Sequence, residues 1–246
     1  MKAILLCGGF AKRMWPMTLH CSKILLDVAG KPVLNYTIEK LEKIDDIDEI
    51  ILTINAKFEQ DFKDWIKKNS VSKPIRLIVE PTLHEGEKFG AIKAIENAIE
   101  QTHIEDDILV LFGDNIDDLE FDPLISFFKT KKAVTTTAFD TQNLDVAKRM
   151  GVIEIDDNNR VTFFVEKPDK PKSTLISIGR QIYPKDVLHC FKEYIADDNP
   201  KDTPGFFLQW LYKKMPVYAF PFKGHWFDIG NGDILKAAEE WVKKTR

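Results

Sequence analysis

The sequence predicts an α/β fold in which a mostly parallel, mixed sheet has helices on both faces and an added antiparallel β region. Two observations support this prediction. Strand-like and helix-like segments alternate through residues 1–132, and strand-like segments then predominate over residues 133–183. Such alternation is typical of βαβ units and of Rossmann-like sheets, in which ligands bind at the carboxyl ends of the strands.

The first half of the chain alternates between strands and helices. Ala3–Cys7 is a continuous apolar run that stops at two glycines, which is typical of a buried strand. Val33–Lys43 has leucine and isoleucine residues at helical spacing, which predicts an amphipathic helix. The other predicted strands are Glu49–Ile54, Ile75–Val79 and Ile108–Phe112, and the other predicted helices are Phe58–Lys68, Ala91–Ile99 and Asp122–Lys131.

The second half begins with four strand-like segments. They are Ala133–Phe139, Gly151–Ile155, Val161–Val165 and Ile176–Tyr183. The polar residues 156–160 separate the middle two, as the turn of a β-hairpin does. Helices are expected at Lys185–Ala196, Phe206–Lys214 and Ile234–Lys244, and strands near Val217–Phe220 and Trp226–Ile229.

The charge distribution favours a small anionic ligand. The net charge is −4, which gives no overall electrostatic footprint for nucleic acid or for an anionic membrane. Residues 1–32 nevertheless contain five cationic side chains and one acidic side chain. A cationic N-terminal segment in an acidic protein indicates a small, highly charged anion rather than a polymer.

The three cysteines indicate a reducing compartment. Cys7, Cys21 and Cys190 are odd in number, far apart and without a C-x-x-C pair, so neither a disulfide framework nor a zinc knuckle is expected. The histidines show no metal-ligand spacing. Apolar runs are too short for a signal peptide or a membrane span. These observations predict a cytoplasmic protein that binds neither nucleic acid nor membrane.

The glycine pair after the first strand is a candidate phosphate-binding loop. Gly8 and Gly9 would let backbone N–H groups approach a phosphate, with Lys12 and Arg13 close behind to neutralise its charge. The spacing matches neither the P-loop nor the dinucleotide-binding motif, which argues against an ordinary P-loop NTPase and a nicotinamide-dependent dehydrogenase. A simple tight turn is an equal alternative for the glycine pair considered alone.

Five segments in order along the chain resemble the motifs of the sugar-1-phosphate nucleotidylyltransferases. They are residues 6–18 (LCGGFAKRMWPMT), residues 22–32 with Ser22-Lys23 and Gly30-Lys31-Pro32, Gly113-Asp114-Asn115, Gly151-Val152 with Glu166-Lys167-Pro168, and residues 226–230 (WFDIG). Together they extend over nearly the whole chain. The Ser22-Lys23 and Asp114-Asn115 pairs resemble most the glucose-1-phosphate thymidylyltransferase branch of this family.

The resemblance implies a role for each matching residue. Arg13 and Lys23 would be catalytic, and Asp114 and Asp228 would hold Mg²⁺, the implied cofactor. The implied nucleotide-binding residues are Gly8, Gly9, Lys12, Glu80 and Gly90, and the implied sugar-phosphate-binding residues are Gly151, Glu166, Lys167 and Gly179. Each has an ordinary structural alternative: a solvated lysine at 23, a helix or turn cap at Asp114, and simple turns at Gly151 and Gly179.

The implied reaction joins a nucleoside triphosphate to a sugar 1-phosphate and releases pyrophosphate. We expect dTTP or UTP with glucose 1-phosphate. The alternatives are guanylyl or cytidylyl transfer to mannose, heptose or alditol phosphate, and a catalytically silent relative that binds a sugar nucleotide and regulates a partner. Where the family pattern has Gly-Thr, this chain has Ala11-Lys12, so a loop without an easily adopted positive φ is expected there.

The organisation implied is one nucleotidyltransferase domain over residues 1–246. Its nucleotide-binding part would be about residues 1–132 and its sugar-binding part about residues 133–246. The sequence does not distinguish a monomer from a homo-oligomer.

Overall fold

The structure is a computed structural model that describes residues 1–245. The chain forms two compact units, and neither unit is continuous in sequence. The first unit contains residues 1–88, residues 112–119 and the segment from residue 224 onward, and the second contains residues 89–111 and 120–223. The predicted functional division near residue 132 does not coincide with these units and stays a prediction.

Thirteen strands and eight α-helices lie within residues 1–245. The strands are β1 Lys2–Leu6, β2 Asp27–Val28, β3 Lys31–Pro32, β4 Glu49–Asn55, β5 Ile75–Glu80, β6 Ile108–Phe112, β7 Asn115–Asp117, β8 Val134–Asp140, β9 Gly151–Ile155, β10 Val161–Glu166, β11 Leu175–Tyr183, β12 Val217–Phe222 and β13 Trp226–Asp228. The helices are α1 Val33–Leu41, α2 Glu59–Lys68, α3 Ala91–Thr102, α4 Phe121–Lys131, α5 Leu144–Ala147, α6 His189–Ala196, α7 Pro204–Leu211 and α8 Gly232–Thr245.

Parallel strand pairing organises the first unit. Strand β1 pairs with β4 and β4 pairs with β5, both parallel, and Leu5 lies opposite Leu52. The central residues of β1 and almost all of β4 are buried, because continuous apolar strands of this kind have both faces covered. The carboxyl end of β1 leads directly to Cys7-Gly8, and β5 ends at Glu80, just before Pro81.

A short antiparallel ribbon in the first unit joins β7 to β13. Asp228 lies opposite Asn115 in its register, and Trp226 lies opposite Asp117. Apolar side chains from the ribbon and the residue after it, from β2, α1 and α8 and from the 3₁₀ turn at Lys12–Met14 form one buried cluster that supports it: Met14, Val28, Val33, Ile116, Ile229, Ala238 and Val242. The ribbon therefore brings together two segments that are more than 100 residues apart in the sequence.

The second unit contains the mixed and antiparallel pairing. Strands β9 and β10 form the predicted hairpin, and β11 pairs antiparallel with β6, β8 and β9. Strand β12 pairs with β8 in parallel. Helix α7 packs within the second unit through Phe207. The Phe207 ring contacts the rings of Tyr183, Phe191 and Tyr194 in an aromatic core.

The predicted α/β fold with a mixed sheet and an added antiparallel region is confirmed. The helix expected at Lys185–Ala196 divides into a short 3₁₀ turn and α6. Helix α7 begins two residues earlier than expected, at Pro204, because proline suits the first turn of a helix. Strands β2, β3 and β7 and helix α5 were not expected, since elements of two to four residues show little periodicity.

Candidate active site

The glycine loop after β1 lies against two polar side chains of the first unit. The side-chain amide of Asn55 donates to the Gly8 carbonyl over 3.1 Å. A methyl group on Gly8 would lie 3.4 Å from the Glu80 carboxylate, whereas one on Gly9 would meet no atom within 4 Å. The space above Gly9 is therefore open, as a loop that receives a ligand requires.

Ala11 overturns the expectation that this loop avoids a positive φ. Its backbone is left-handed, with φ of 48° and ψ of 45°. Its carbonyl accepts hydrogen bonds from the Thr18 hydroxyl and from the Met14 N–H, both 2.9 Å long. The conformation costs a residue with a Cβ about 1–2 kcal/mol, and these hydrogen bonds help to offset that cost. The loop thus has the shape that glycine would give it.

Two cationic side chains follow Ala11 in an exposed 3₁₀ turn. Lys12 lies 6.0 Å from the centre of the Trp15 ring. Arg13 is exposed and makes no ion pair with any residue in the described part of the chain. Both side chains are therefore accessible to an anionic ligand.

Lys23 and Asp114 form a partly buried ion pair. Lys23 Nζ lies 2.6 Å from Asp114 Oδ2, and the side chains are 12% and 24% exposed. Lys23 is thus not a freely solvated lysine. The backbone places Asp114 just after β6, where the Gly113 N–H donates to the Leu6 carbonyl and the Asp114 carbonyl accepts from the Ile229 N–H.

Asn115 connects the two predicted metal ligands, and sequence reasoning assigned it no role. Its side-chain amide nitrogen donates to Asp114 Oδ1 over 2.9 Å and to Asp228 Oδ1 over 3.3 Å. Its amide oxygen accepts from the Trp226 indole N–H over 2.9 Å. The β7–β13 register produces this arrangement, because Asn115 and Asp228 are directly opposed.

The donor atoms of this cluster suit a hard divalent cation. The carboxylates of Asp114 and Asp228, which both accept from the Asn115 amide, supply oxygen atoms of the type that Mg²⁺ and similar ions prefer. The Lys23 ammonium already lies on one of these oxygens, which shows that the site accommodates positive charge. The predicted metal ligands are therefore brought together.

Glu80 lies in a buried polar cluster at the end of β5. Glu80 is 4% exposed, and Asn55 and Thr82, which lie beside it in the first unit, are each 1% exposed. Asn55 Oδ1 and Thr82 Oγ1 are buried without a hydrogen-bond partner among residues 1–245. Orphaned buried polar atoms are costly, so this cluster has hydrogen-bonding capacity for a ligand.

The segment after this cluster is exposed and locally organised. The Glu87 carboxylate accepts from the Leu83 N–H over 2.9 Å. Gly90 ends the segment with φ of 82°, and a methyl group there would lie 2.6 Å from the Lys201 carbonyl oxygen. Gly90 therefore has a packing reason to be glycine within the second unit, and its predicted nucleotide-binding role stays a prediction.

Glu166 is a buried acid of the second unit, at the end of strand β10. It is 8% exposed and lies opposite Gly151 in the β9–β10 hairpin. A methyl group on Gly151 would lie 2.8 Å from Glu166 Oε2 and 2.7 Å from the Phe164 ring. Burial raises the pKa of Glu166 to about 7, although the nearby Lys167 ammonium opposes this shift.

Lys167 and Gly179 have contrasting surroundings. Lys167 is left-handed, with φ of 50°, and its exposed ammonium donates to the Thr203 hydroxyl over 3.0 Å. Gly179 lies inside β11, at the register shift between Ile178 and Gln181, and its carbonyl accepts from the Arg180 guanidinium. Gly151 and Gly179 thus belong to strands, and the alternative interpretation of both as simple turn glycines is wrong.

One further group of possible ligands lies on α6. Atoms of His189, Cys190 and Glu193 lie within 4.8 Å of one another, a spacing that the sequence interpretation did not recognise. His189 Nε2 lies 3.7 Å from Glu193, and both side chains are more than half exposed. The geometry is that of an ordinary i, i+4 pair on a helix surface, and we assign it no ion.

Comparison with known proteins now identifies the family. The protein-family model described as Nucleotidyl transferase matches residues 2–244. The chain belongs to the nucleotidyl transferase family. The predicted resemblance to sugar nucleotidylyltransferases is confirmed by this match and by the relatives described next.

Relatives within the nucleotidyl transferase family carry different names. The Bifunctional protein GlmU of Methanocaldococcus jannaschii is 31% identical over 99% of this chain and 55% of its own length. A provisionally named mannose-1-phosphate guanyltransferase of Sulfolobus acidocaldarius is 29% identical over 93% of this chain and 59% of its own length. The chain thus spans little more than half the length of these curated relatives.

A solved structure has the same fold. It is that of a provisionally named glucose-1-phosphate thymidylyltransferase from Bacillus anthracis, with a TM-score of 0.83, 23% identity, and coverage of 99% of this chain and 95% of that chain. The similarity establishes the fold of this family member. Separately, none of the helices within residues 1–245 combines the length and apolar character needed to cross a bilayer.

Proposed function

We propose that this chain is a sugar-1-phosphate nucleotidylyltransferase that uses Mg²⁺. The observation that supports it most directly is the cluster in which Lys23, Asp114, Asn115 and Asp228 are joined by hydrogen bonds. An oxygen of the sugar phosphate forms a bond to the α-phosphorus of the nucleoside triphosphate, the bond to the bridging oxygen breaks, and pyrophosphate leaves. No protein nucleophile is needed.

The main obstacle to this reaction is repulsion between anions. Asp114 and Asp228 would hold Mg²⁺, which supplies neutralisation of phosphate charge when bound. Lys23 would move its ammonium from Asp114 toward the reacting phosphates, where repulsion is greatest. The exposed Lys12 and Arg13 would bind the remaining phosphate oxygens of the triphosphate, beside the open space above Gly9.

The second unit would recognise the sugar phosphate. Glu166, at the end of β10, is buried with its carboxyl group beside Gly151 of β9 and Gly205 of α7, and a carboxyl group suits the hydroxyl groups of a sugar. A protonated carboxyl can both donate and accept, and an ionised one accepts only. Lys167 would bind the phosphate of the same substrate through its exposed ammonium.

The nucleobase would face Glu80. Its carboxylate is acceptor-only when ionised and pairs with the N3–H of uracil or thymine, so we favour dTTP or UTP with glucose 1-phosphate. Cytosine has an acceptor at N3. Facing Glu80, it would place two acceptors opposite each other, at a cost of about 1–3 kcal/mol. The unpartnered oxygens of Asn55 and Thr82 add hydrogen-bonding capacity in the same cluster.

Guanylyl transfer is the second candidate. Guanine presents N1–H and an exocyclic amine, and both suit the acceptor oxygens of Glu80. The similarity to the Sulfolobus acidocaldarius protein named as a mannose-1-phosphate guanyltransferase favours this alternative as well. A silent regulatory relative is less favoured, because Lys23, Asp114 and Asp228 are all retained.

A matrix of five nucleoside triphosphates against several sugar 1-phosphates tests the proposal, with pyrophosphate release as the readout. We expect release with dTTP or UTP and glucose 1-phosphate, and loss of activity in excess EDTA. Asp114→Asn and Asp228→Asn should stay folded and lose nearly all activity. Full activity in excess EDTA would refute the metal assignment, and the highest kcat/KM with CTP would refute the base assignment.

A further inference from the structure

Helix α7 makes three contacts with the Glu166-Lys167 pair in the second unit. Its N-terminal neighbour Thr203 accepts from Lys167 Nζ over 3.0 Å. Gln209, on the next turns of the helix, accepts from the Glu166 backbone N–H through Oε1 over 2.7 Å. The third contact is steric and involves Gly205.

Gly205 leaves open the space that the Glu166 carboxylate occupies. A methyl group on Gly205 would lie 1.7 Å from Oε2 and 2.4 Å from Cδ of Glu166. A methyl group on Gly151, on the opposite strand, would lie 2.8 Å from the same Oε2. The carboxylate oxygen therefore fills space that two missing side chains leave open.

The backbone of Gly205 does not need to be glycine. It lies in the first turn of α7, and its φ is not in the positive region. Alanine is preferred over glycine in helices, so local helix formation offers no reason for a glycine here. The steric relation to Glu166 is the structural reason for it.

We propose that Gly205 is a positioning residue for the sugar substrate: it lets the Glu166 carboxylate lie between α7 and β9, and so determines which sugar hydroxyls that carboxylate meets. The inference rests on the proposed function and deepens it. Gln209 and Thr203 hold the backbone of Glu166 and the ammonium of Lys167 in the matching orientation. The first turns of α7 thereby become part of sugar recognition.

Kinetics of Gly205→Ala test the inference. The added methyl group would push the flexible end of Glu166 away without disturbing the backbone of α7. We expect KM for the sugar 1-phosphate to rise about tenfold, as for the loss of one or two hydrogen bonds, and KM for the triphosphate to stay unchanged. An unchanged sugar KM, or an equal rise in both KM values, would overturn the inference.

Two further variants separate positioning from general damage. Gly205→Ala combined with Glu166→Asp shortens the acid and makes room for the methyl group, so the sugar KM should fall again relative to Gly205→Ala alone. Gly232→Ala is the matched control, because a methyl group there meets only ordinary contact at 3.9 Å from Met17 and should change neither KM. A double variant no better than Gly205→Ala would contradict the positioning role.

A stability measurement tests the same inference without any activity. Glu166→Gln should remove part of the pH dependence of the free energy of unfolding of the wild-type chain. In a Gly205→Ala background the same substitution should remove less of it, because there the acid is displaced toward water. The inference would be overturned if Glu166→Gln changed the pH dependence of the free energy of unfolding equally in both backgrounds. Absence of pyrophosphate release from the wild type with every substrate pair would instead refute the proposed function.

Discussion

At the scale of single residues, the ammonium of Lys23 is held by an ion pair in the first unit. It lies 2.6 Å from Asp114, and only 12% of the side chain is exposed. Its charge is held next to a proposed metal ligand, where it can balance the anionic cluster in the absence of substrate. The proposed reaction moves negative charge to the same place.

We expect Lys23→Ala to lower kcat about 10²–10³-fold, as is typical for loss of one electrostatic contact in a transition state. KM for the triphosphate should change less, because repulsion is greatest during the reaction. Steady-state kinetics measure both values. Lys243→Ala, which removes an exposed i, i+4 partner of Glu239, is the control and should leave kcat unchanged. A decrease of only a few fold for Lys23→Ala would show that Lys23 is not catalytic.

Ala11 allows a prediction about stability. Its left-handed backbone is strained, so Ala11→Gly should leave the free energy of unfolding unchanged or raise it by up to about 1 kcal/mol. Ala237→Gly, on the exposed face of α8, should lower it by about 1 kcal/mol. Urea unfolding of both variants measures the difference. Equal losses in the two variants would show that the Ala11 conformation carries no strain.

At the scale of elements, the β7–β13 ribbon assembles the proposed metal site. Two strands of three residues place Asp228 opposite Asn115, and the Trp226 indole fixes the orientation of the Asn115 amide. Supporting contacts of this kind orient metal ligands in many proteins. The ribbon is itself supported by the apolar cluster that includes Ile116 and Ile229.

Trp226→Phe should raise the Mg²⁺ concentration needed for half-maximal activity about tenfold, because the Asn115 amide loses the donor that fixes its orientation. A Mg²⁺ titration of activity measures this. Trp241→Phe is the matched control, since the Trp241 indole nitrogen is buried without a hydrogen-bond partner among the described residues. The control should leave the Mg²⁺ requirement unchanged, and equal requirements in both variants would contradict the role of Trp226.

At the scale of the whole molecule, the buried Glu166 links folding stability to pH. Its pKa is about 7 in the folded chain, above the ordinary value of 4.5, because burial disfavours the charged form. Between these values the folded chain binds more protons than the unfolded chain, so its stability falls as the pH rises from about 4.5 through about 7. The contribution is fully present below pH 4.5 and lost above pH 7.

Glu166→Gln should remove this fall in folding stability with rising pH, because glutamine does not titrate. Urea unfolding of the wild type and the variant at pH 5 and pH 8 gives the comparison. We expect the variant to gain stability relative to the wild type as the pH is raised. Glu154→Gln, an exposed change on the neighbouring strand β9, is the control and should follow the wild type. Parallel pH dependences in the wild type and Glu166→Gln would contradict the prediction.

The sequence by itself determined the order of the elements and the membership of the family. Apolar runs such as Ala3–Cys7 and the helical spacing in Val33–Lys43 are local patterns, and they correspond to β1 and α1 within two residues. Motifs such as Gly113-Asp114-Asn115 are local as well. Both kinds of signal depend on neighbours in the chain, which is why they can be recognised without a structure.

Only the tertiary structure decided which side chains act together. Asn115 meets Asp228 through a ribbon between segments 113 residues apart, and Gly205 meets Glu166 through the packing of α7 on β10. It also decided that Ala11 takes a left-handed backbone, because the Thr18 hydroxyl holds its carbonyl. Contacts of this kind depend on distances between remote segments, and local sequence patterns contain no information about those distances.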